Sequence, residues 1–61
     1  MPYITVKAIG GRTLEQKRGL VKDITEAVVK NFNAPPEAVT IDFIDYEAEN
    51  LANAGKLFSD R

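Results

Sequence analysis

Tyr3-Ile4-Thr5-Val6-Lys7-Ala8-Ile9-Gly10-Gly11-Arg12-Thr13-Leu14-Glu15-Gln16 contains a strand, a break and a helix start within fourteen residues. Ile4, Val6 and Ala8 alternate with Thr5 and Lys7, the period-two pattern of a half-buried strand rich in β-branched residues. Gly10-Gly11 ends it. Thr13 and Gln16 have capping-box spacing, in which the threonine hydroxyl and the glutamine amide each satisfy a backbone N–H that the first helical turn leaves free. Beyond it, Leu14, Leu20, Val21, Ile24, Ala27, Val28 and Phe32 recur at helical spacing, with Lys17, Arg18, Lys22, Glu26 and Lys30 mainly opposite. This predicts one amphipathic helix of about five turns. Asn31 or Asn33 can end it, and Pro35-Pro36 forbids its continuation.

Val39 to Ile44 alternates again, which predicts a second strand. Strand, helix and strand at this length form a β-α-β unit, so the two strands should be parallel. After an acidic loop, Asn53-Ala54-Gly55-Lys56 reads as a turn between Leu51 and Leu57-Phe58, and so as a short C-terminal hairpin. The expected class is therefore α/β (α+β), with residues 1–61 as a single domain. One helix covers one face of a two-stranded sheet. The other face, with Tyr3, Thr5, Ile9, Thr40 and Ile44, is too apolar to stay wet, which predicts dimerisation through the sheet.

The 61 residues bound the chemistry further. A chain of this size buries only about 60% of its unfolded surface and commonly relies on disulfides, metals or partner subunits. It has no cysteine and no histidine. That excludes disulfides, thiolate or imidazole metal sites, a cysteine nucleophile and a Ser-His-Asp triad. Oligomerisation is the stabilising device left. Net charge is −1, and without a basic stripe nucleic acid is not an expected partner. Charge is uneven: residues 1–30 hold six Lys/Arg and three acids, residues 31–61 six acids and two Lys/Arg. The acidic stretch reads as a solvated or inter-subunit face, because it lacks the spacing of a calcium loop. No apolar run is long enough to span a membrane, and the N-terminus lacks a signal-peptide pattern. The expected location is cytoplasmic.

Few residues remain for acid–base work. Loss of Met1 would leave Pro2 with a free secondary amine, and an α-amino group has a reference pKa of about 7.7–8.0, closer to neutrality than any lysine. Arg12, after Gly10-Gly11, could hold a carboxylate bidentately, or could simply be a solvated cation beside a cap. Tyr3 and Tyr46 read as interface or core-edge residues, and Lys7 and Asp42 as a cross-strand or inter-subunit pair.

Together, Pro2 before a short strand, Gly11-Arg12-Thr13 and Glu15-Gln16-Lys17 opening a helix, Ala34-Pro35 closing it, and a glycine-containing hairpin resemble the 4-oxalocrotonate tautomerase family, whose fold is tautomerase/MIF-like. The resemblance covers the whole chain. It implies a hexamer built as a trimer of dimers and a cofactor-independent keto–enol isomerase acting on small 2-hydroxydienoate or enol-pyruvate carboxylates. Pro2 would be the general base, Arg12 the carboxylate binder, and Ile9 a residue near the oxygenated end of the substrate. No cofactor or metal is implied. Two positions depart from the pattern. Thr40 stands where well-studied members place a second arginine from a neighbouring subunit, and Leu51 where they place a phenylalanine. Asn53 lies near the position of a water-activating glutamate in hydrating and dehalogenating relatives, which disfavours that chemistry. The alternative reading is an oligomeric small-molecule binding module of the same fold without turnover.

Overall fold

The computed structural model describes residues 1–61. Strand β1 (Tyr3–Ile9) leads into helix α1 (Leu14–Phe32), strand β2 (Thr40–Tyr46) and a two-rung hairpin, β3 (Ala52–Asn53) and β4 (Lys56–Leu57). Short 3-10 turns occupy Pro36–Ala38, Ala48–Asn50 and Phe58–Asp60. β1 and β2 pair in parallel from Tyr3 opposite Thr40 to Ile9 opposite Tyr46. The β-α-β unit and the C-terminal hairpin are thus as the periodicity predicts. No helix is long and apolar enough to cross a membrane.

Local chemistry sets the helix ends. The Gln16 N–H donates to Thr13 Oγ1 at 3.1 Å, and the Thr13 N–H donates to Gln16 Oε1 at 2.9 Å, completing the capping box. At the other end Asn33, not Asn31, is the C-cap, in the left-handed region at φ 54°. Asn31 instead donates from its side chain to the Ala27 carbonyl. Glu15 pairs with Arg18 one turn later.

β2 is shifted from the expected Val39–Ile44. The Val39 N–H turns back to the Pro36 carbonyl at 3.1 Å, which withdraws that donor from the ladder. At the far end the ladder outlasts Ile44, because Tyr46 faces Ile9 and its carbonyl accepts the Gly10 N–H at 2.8 Å. The hairpin turn places Ala54 at φ 53° and Gly55 at φ 78°, the paired positive angles of a tight two-residue connection.

Ile4, Val6, Ala8, Ile41 and Phe43 face the helix, where Val21, Ile24 and Val28 meet them half-buried. The opposite face shows Tyr3, Thr5, Lys7, Ile9, Thr40, Asp42 and Ile44 exposed. On that face Asp42 accepts from the Thr5 hydroxyl at 2.8 Å, so within the protomer its partner is Thr5 rather than Lys7. Leu14, Leu20 and Phe32, expected on the apolar side of the helix, remain 62, 40 and 71% exposed.

No residue of the protomer is fully buried. Its accessible surface is 4803 Å², against about 3,900 Å² for a compact monomer of 6.7 kDa. The radius of gyration is 14.7 Å, where a compact 61-residue domain has about 10.5 Å. The molecule is a slab of 42 × 24 × 13 Å, one helix on one sheet with a projecting hairpin. Such a slab lacks the closed core that offsets chain entropy.

Candidate functional site

The five residues expected at the site form two groups at opposite ends of β1. Pro2 and Thr40 lie at its start, where the Thr40 N–H donates to the Pro2 carbonyl at 3.0 Å. Pro2 suits this place. It precedes the ladder, so its missing N–H costs no strand hydrogen bond, and its carbonyl still anchors β2. The shallow cleft beside it is lined by Met1, Phe32, Asn33 and Ala34, at the C-terminal end of α1. Met1 itself is 80% exposed. While Met1 is attached the Pro2 nitrogen is an amide, and only its removal leaves a basic lone pair.

Ile9 and Leu51 lie at the other end and share an apolar cleft with Ala8, Tyr46 and Phe58. The hairpin brings Leu51 there, since its carbonyl accepts the Phe58 N–H at 2.9 Å and folds the C-terminal turn back over β1 and β2. The Arg61 guanidinium lies 4.6 Å from the Phe58 ring centroid and donates to the Asn53 carbonyl at 2.9 Å, pinning that turn.

Arg12 lines a neighbouring cleft with Gln16, Leu20 and Phe43. Its cation is unanswered. Lys17, which lines the same cleft, is bound to Asp45 at 2.6 Å with its ammonium 5.4 Å from the Phe43 ring centroid, and Arg18 is taken by Glu15. An unpaired guanidinium in this mixed cleft, beside the mutually paired Lys17 and Asp45, can grip a planar carboxylate through two parallel N–H donors.

Gly11 sets where Arg12 points, because it holds φ +103°. A Cβ there would meet no atom within 4 Å, so the demand is conformational rather than steric. Gly11→Ala is expected to cost about 1–2 kcal/mol and to weaken carboxylate binding by redirecting the loop. Chemical denaturation and KM on the same variant check both parts.

Nine residues lie between Pro2 and Arg12, and the seven of them that form β1 extend roughly 23 Å at about 3.3 Å per residue. A small molecule a few ångströms long cannot touch both within one protomer. Phe32, Ala34 and Phe58 line these clefts and were not among the expected site residues. Phe32 fits the helical periodicity and so reads as core. The clue against that reading is its place in the last turn, where the covering sheet runs out.

The family model described as tautomerase enzyme matches residues 2–61. A 2-hydroxymuconate tautomerase of Bacillus subtilis is 45% identical over 60 residues, covering 98% of this chain and 97% of the relative. Among solved structures, YwhB, a homologue of 4-oxalocrotonate tautomerase, superposes with a TM-score of 0.93 at 43% identity, covering 98% of each chain. A structure from work on the 4-oxalocrotonate tautomerase isozymes of Methylibium petroleiphilum gives 0.92 at 38% identity, covering 98% of this chain and 94% of the other.

Proposed function

The chain belongs to the tautomerase family and is an isomerase. On that premise we propose that it is a cofactor-independent keto–enol tautomerase of small 2-hydroxydienoate or enol-pyruvate carboxylates, with Pro2 as general base and Arg12 as carboxylate binder. The observation that supports this most is the unpaired Arg12 guanidinium in a cleft where Lys17 and Asp45 neutralise each other and Ala8, Leu20 and Phe43 supply apolar wall.

The proposed step balances without a cofactor. Once Met1 is gone, the Pro2 nitrogen takes the enol hydroxyl proton. The O–H electrons become the C=O double bond, the conjugated electrons shift along the chain, and the prolyl ammonium returns the proton to carbon. Arg12 stabilises the negative charge that spreads toward the carboxylate end. Ile9 and Leu51 exclude water from the intermediate, and Thr40 flanks the base.

With the length of β1, roughly 23 Å, between them, Pro2 and Arg12 fit this reading when the base of one subunit meets the arginine of another. The proposed unit is accordingly a homo-oligomer, a hexamer arranged as a trimer of dimers, in which residues 1–61 of each copy form one domain acting in the cytoplasm. The surface excess of the isolated slab gives association, as distinct from the number of subunits, a physical basis independent of the relatives. Sedimentation equilibrium should show only multiples of 6.7 kDa at micromolar concentration, with folding and association lost together on dilution. A stable folded monomer would contradict the proposed assembly.

Intact mass followed by an enol ketonisation assay on the same sample tests the function. Loss of one methionine together with turnover supports it. A methionine that the native host never removes would favour the binding module instead.

A further inference from the structure

We infer that Lys17 is a positioning residue that acts through Asp45: by holding that carboxylate, it keeps Arg12 open to the substrate. The inference rests on the reading of Arg12 as carboxylate binder above.

Asp45 is the one acid lining the Arg12 cleft. The ladder fixes its place, because it pairs with Ala8, two residues before the Gly10-Gly11 turn that leads to Arg12. A Cβ built on Gly10 would lie 3.9 Å from the Asp45 Cβ, and the Gly10 N–H is bonded to the carbonyl of the next residue, Tyr46, at 2.8 Å. Strand β2 therefore carries an anion to the foot of the turn from which the Arg12 side chain extends. Left alone, such a carboxylate is a ready partner for a guanidinium with five donors. An Arg12 paired in this way would present its fork to Asp45 instead of a substrate, and a bare Asp45 would repel an incoming anion.

Lys17 prevents both. Its ammonium lies 2.6 Å from Asp45 Oδ2 and 5.4 Å from the Phe43 ring centroid. Phe43 and Asp45 are two residues apart in β2 and so share the face toward α1. The helix start anchors the lysine backbone, whose N–H donates to the Thr13 carbonyl at 3.1 Å. With side-chain exposures of 29 and 43%, the pair is partly screened and adds little to stability. Its consequence is the choice of cation that the acid takes. Arg12, Lys17 and Asp45 belong to one chain, so this arrangement does not depend on which subunit supplies Pro2.

The test reads KM for phenylenolpyruvate and 2-hydroxymuconate on protein shown by mass to lack Met1 and by sedimentation to keep the wild-type assembly. Lys17→Met keeps the stem over Phe43 and removes the charge. It is expected to raise KM by about three- to fivefold with little change in kcat, the scale of a partly exposed ion pair. Added salt should shrink the rise, as it would not for a distorted cleft. Adding Asp45→Asn to Lys17→Met should return KM to within about twofold of wild type, because the competing anion is gone. Lys17→Arg should likewise recover most of the loss. Lys22→Met, the same loss of charge at an exposed position of α1, is the control and should leave KM unchanged. A KM that stays raised in the double variant overturns the inference, since Lys17 would then hold the substrate itself. So does a Lys17→Met protein that fails to assemble, or one whose KM is unmoved while Arg12→Ala raises it. If Arg12→Ala leaves KM unchanged, or wild type with a free Pro2 turns over neither compound, the proposed function falls and the inference with it.

Discussion

Pro2→Ala is expected to lower ketonisation by about a hundredfold or more while leaving the assembly intact. A positioned base typically contributes about 10²–10⁴-fold. The loss should stop short of complete inactivity. Alanine at position 2 also permits methionine removal, and the resulting primary α-amine can still accept a proton. It lacks the ring that holds the proline nitrogen in one direction, so proximity is lost more than basicity. The fold has little reason to change, because the ladder uses the Pro2 carbonyl, bonded to the Thr40 N–H at 3.0 Å, and not the ring. Unchanged sedimentation with a collapsed kcat is therefore the expected pair of results. A variant as fast as the wild type would remove Pro2 from the mechanism.

Arg12→Ala should act mainly on carboxylate recognition. Hydrogen bonds to charged groups contribute about 1.5–3 kcal/mol, or roughly 10- to 150-fold in kcat/KM. Most of the loss should appear as a raised KM, because the carboxylate is charged before and during the reaction. A smaller fall in kcat reflects charge that reaches the carboxylate only as the proton leaves the hydroxyl. Arg12 is exposed in the protomer and has no acidic partner there, so stability should change by no more than about 0.5 kcal/mol. Arg12→Lys should recover part of the binding through charge, but not the bidentate grip. Equal losses on an uncharged enol analogue would refute the carboxylate contact.

Several structural features could be read in the residues because they depend on neighbours in the chain. The Thr13–Gln16 box is a three-residue relation, and both of its hydrogen bonds form. The β1 alternation is equally local, and Ile4, Val6 and Ala8 do turn toward the helix. Gly55 marks the hairpin turn in the same way. The end of β2 was less legible. Whether Asp45 and Tyr46 remain in the strand depends on Ile9 and Gly10, more than thirty residues earlier, which extend the ladder. Likewise, Lys17 reads as a solvated cation until folding brings Asp45 to 2.6 Å from its ammonium.

The candidate site divides along the same line. Taken singly, a proline after Met1 and an arginine beside a helix cap are ordinary, and Pro2 and Arg12 become candidates through their combination with the rest of the chain's pattern. That they stand at opposite ends of one strand was legible too, because the alternation from Tyr3 to Ile9 lies between them. Their surroundings were not: only the folded chain puts Phe32 beside the first and Gln16, Leu20 and Phe43 beside the second. Periodicity records which face a residue prefers over a few turns or rungs, so the strands, the helix and its caps follow from local order. The distances between clefts, the partner of each cation and the 4803 Å² of surface left uncovered are sums over residues far apart in the chain. Those quantities exist only once the strands have paired.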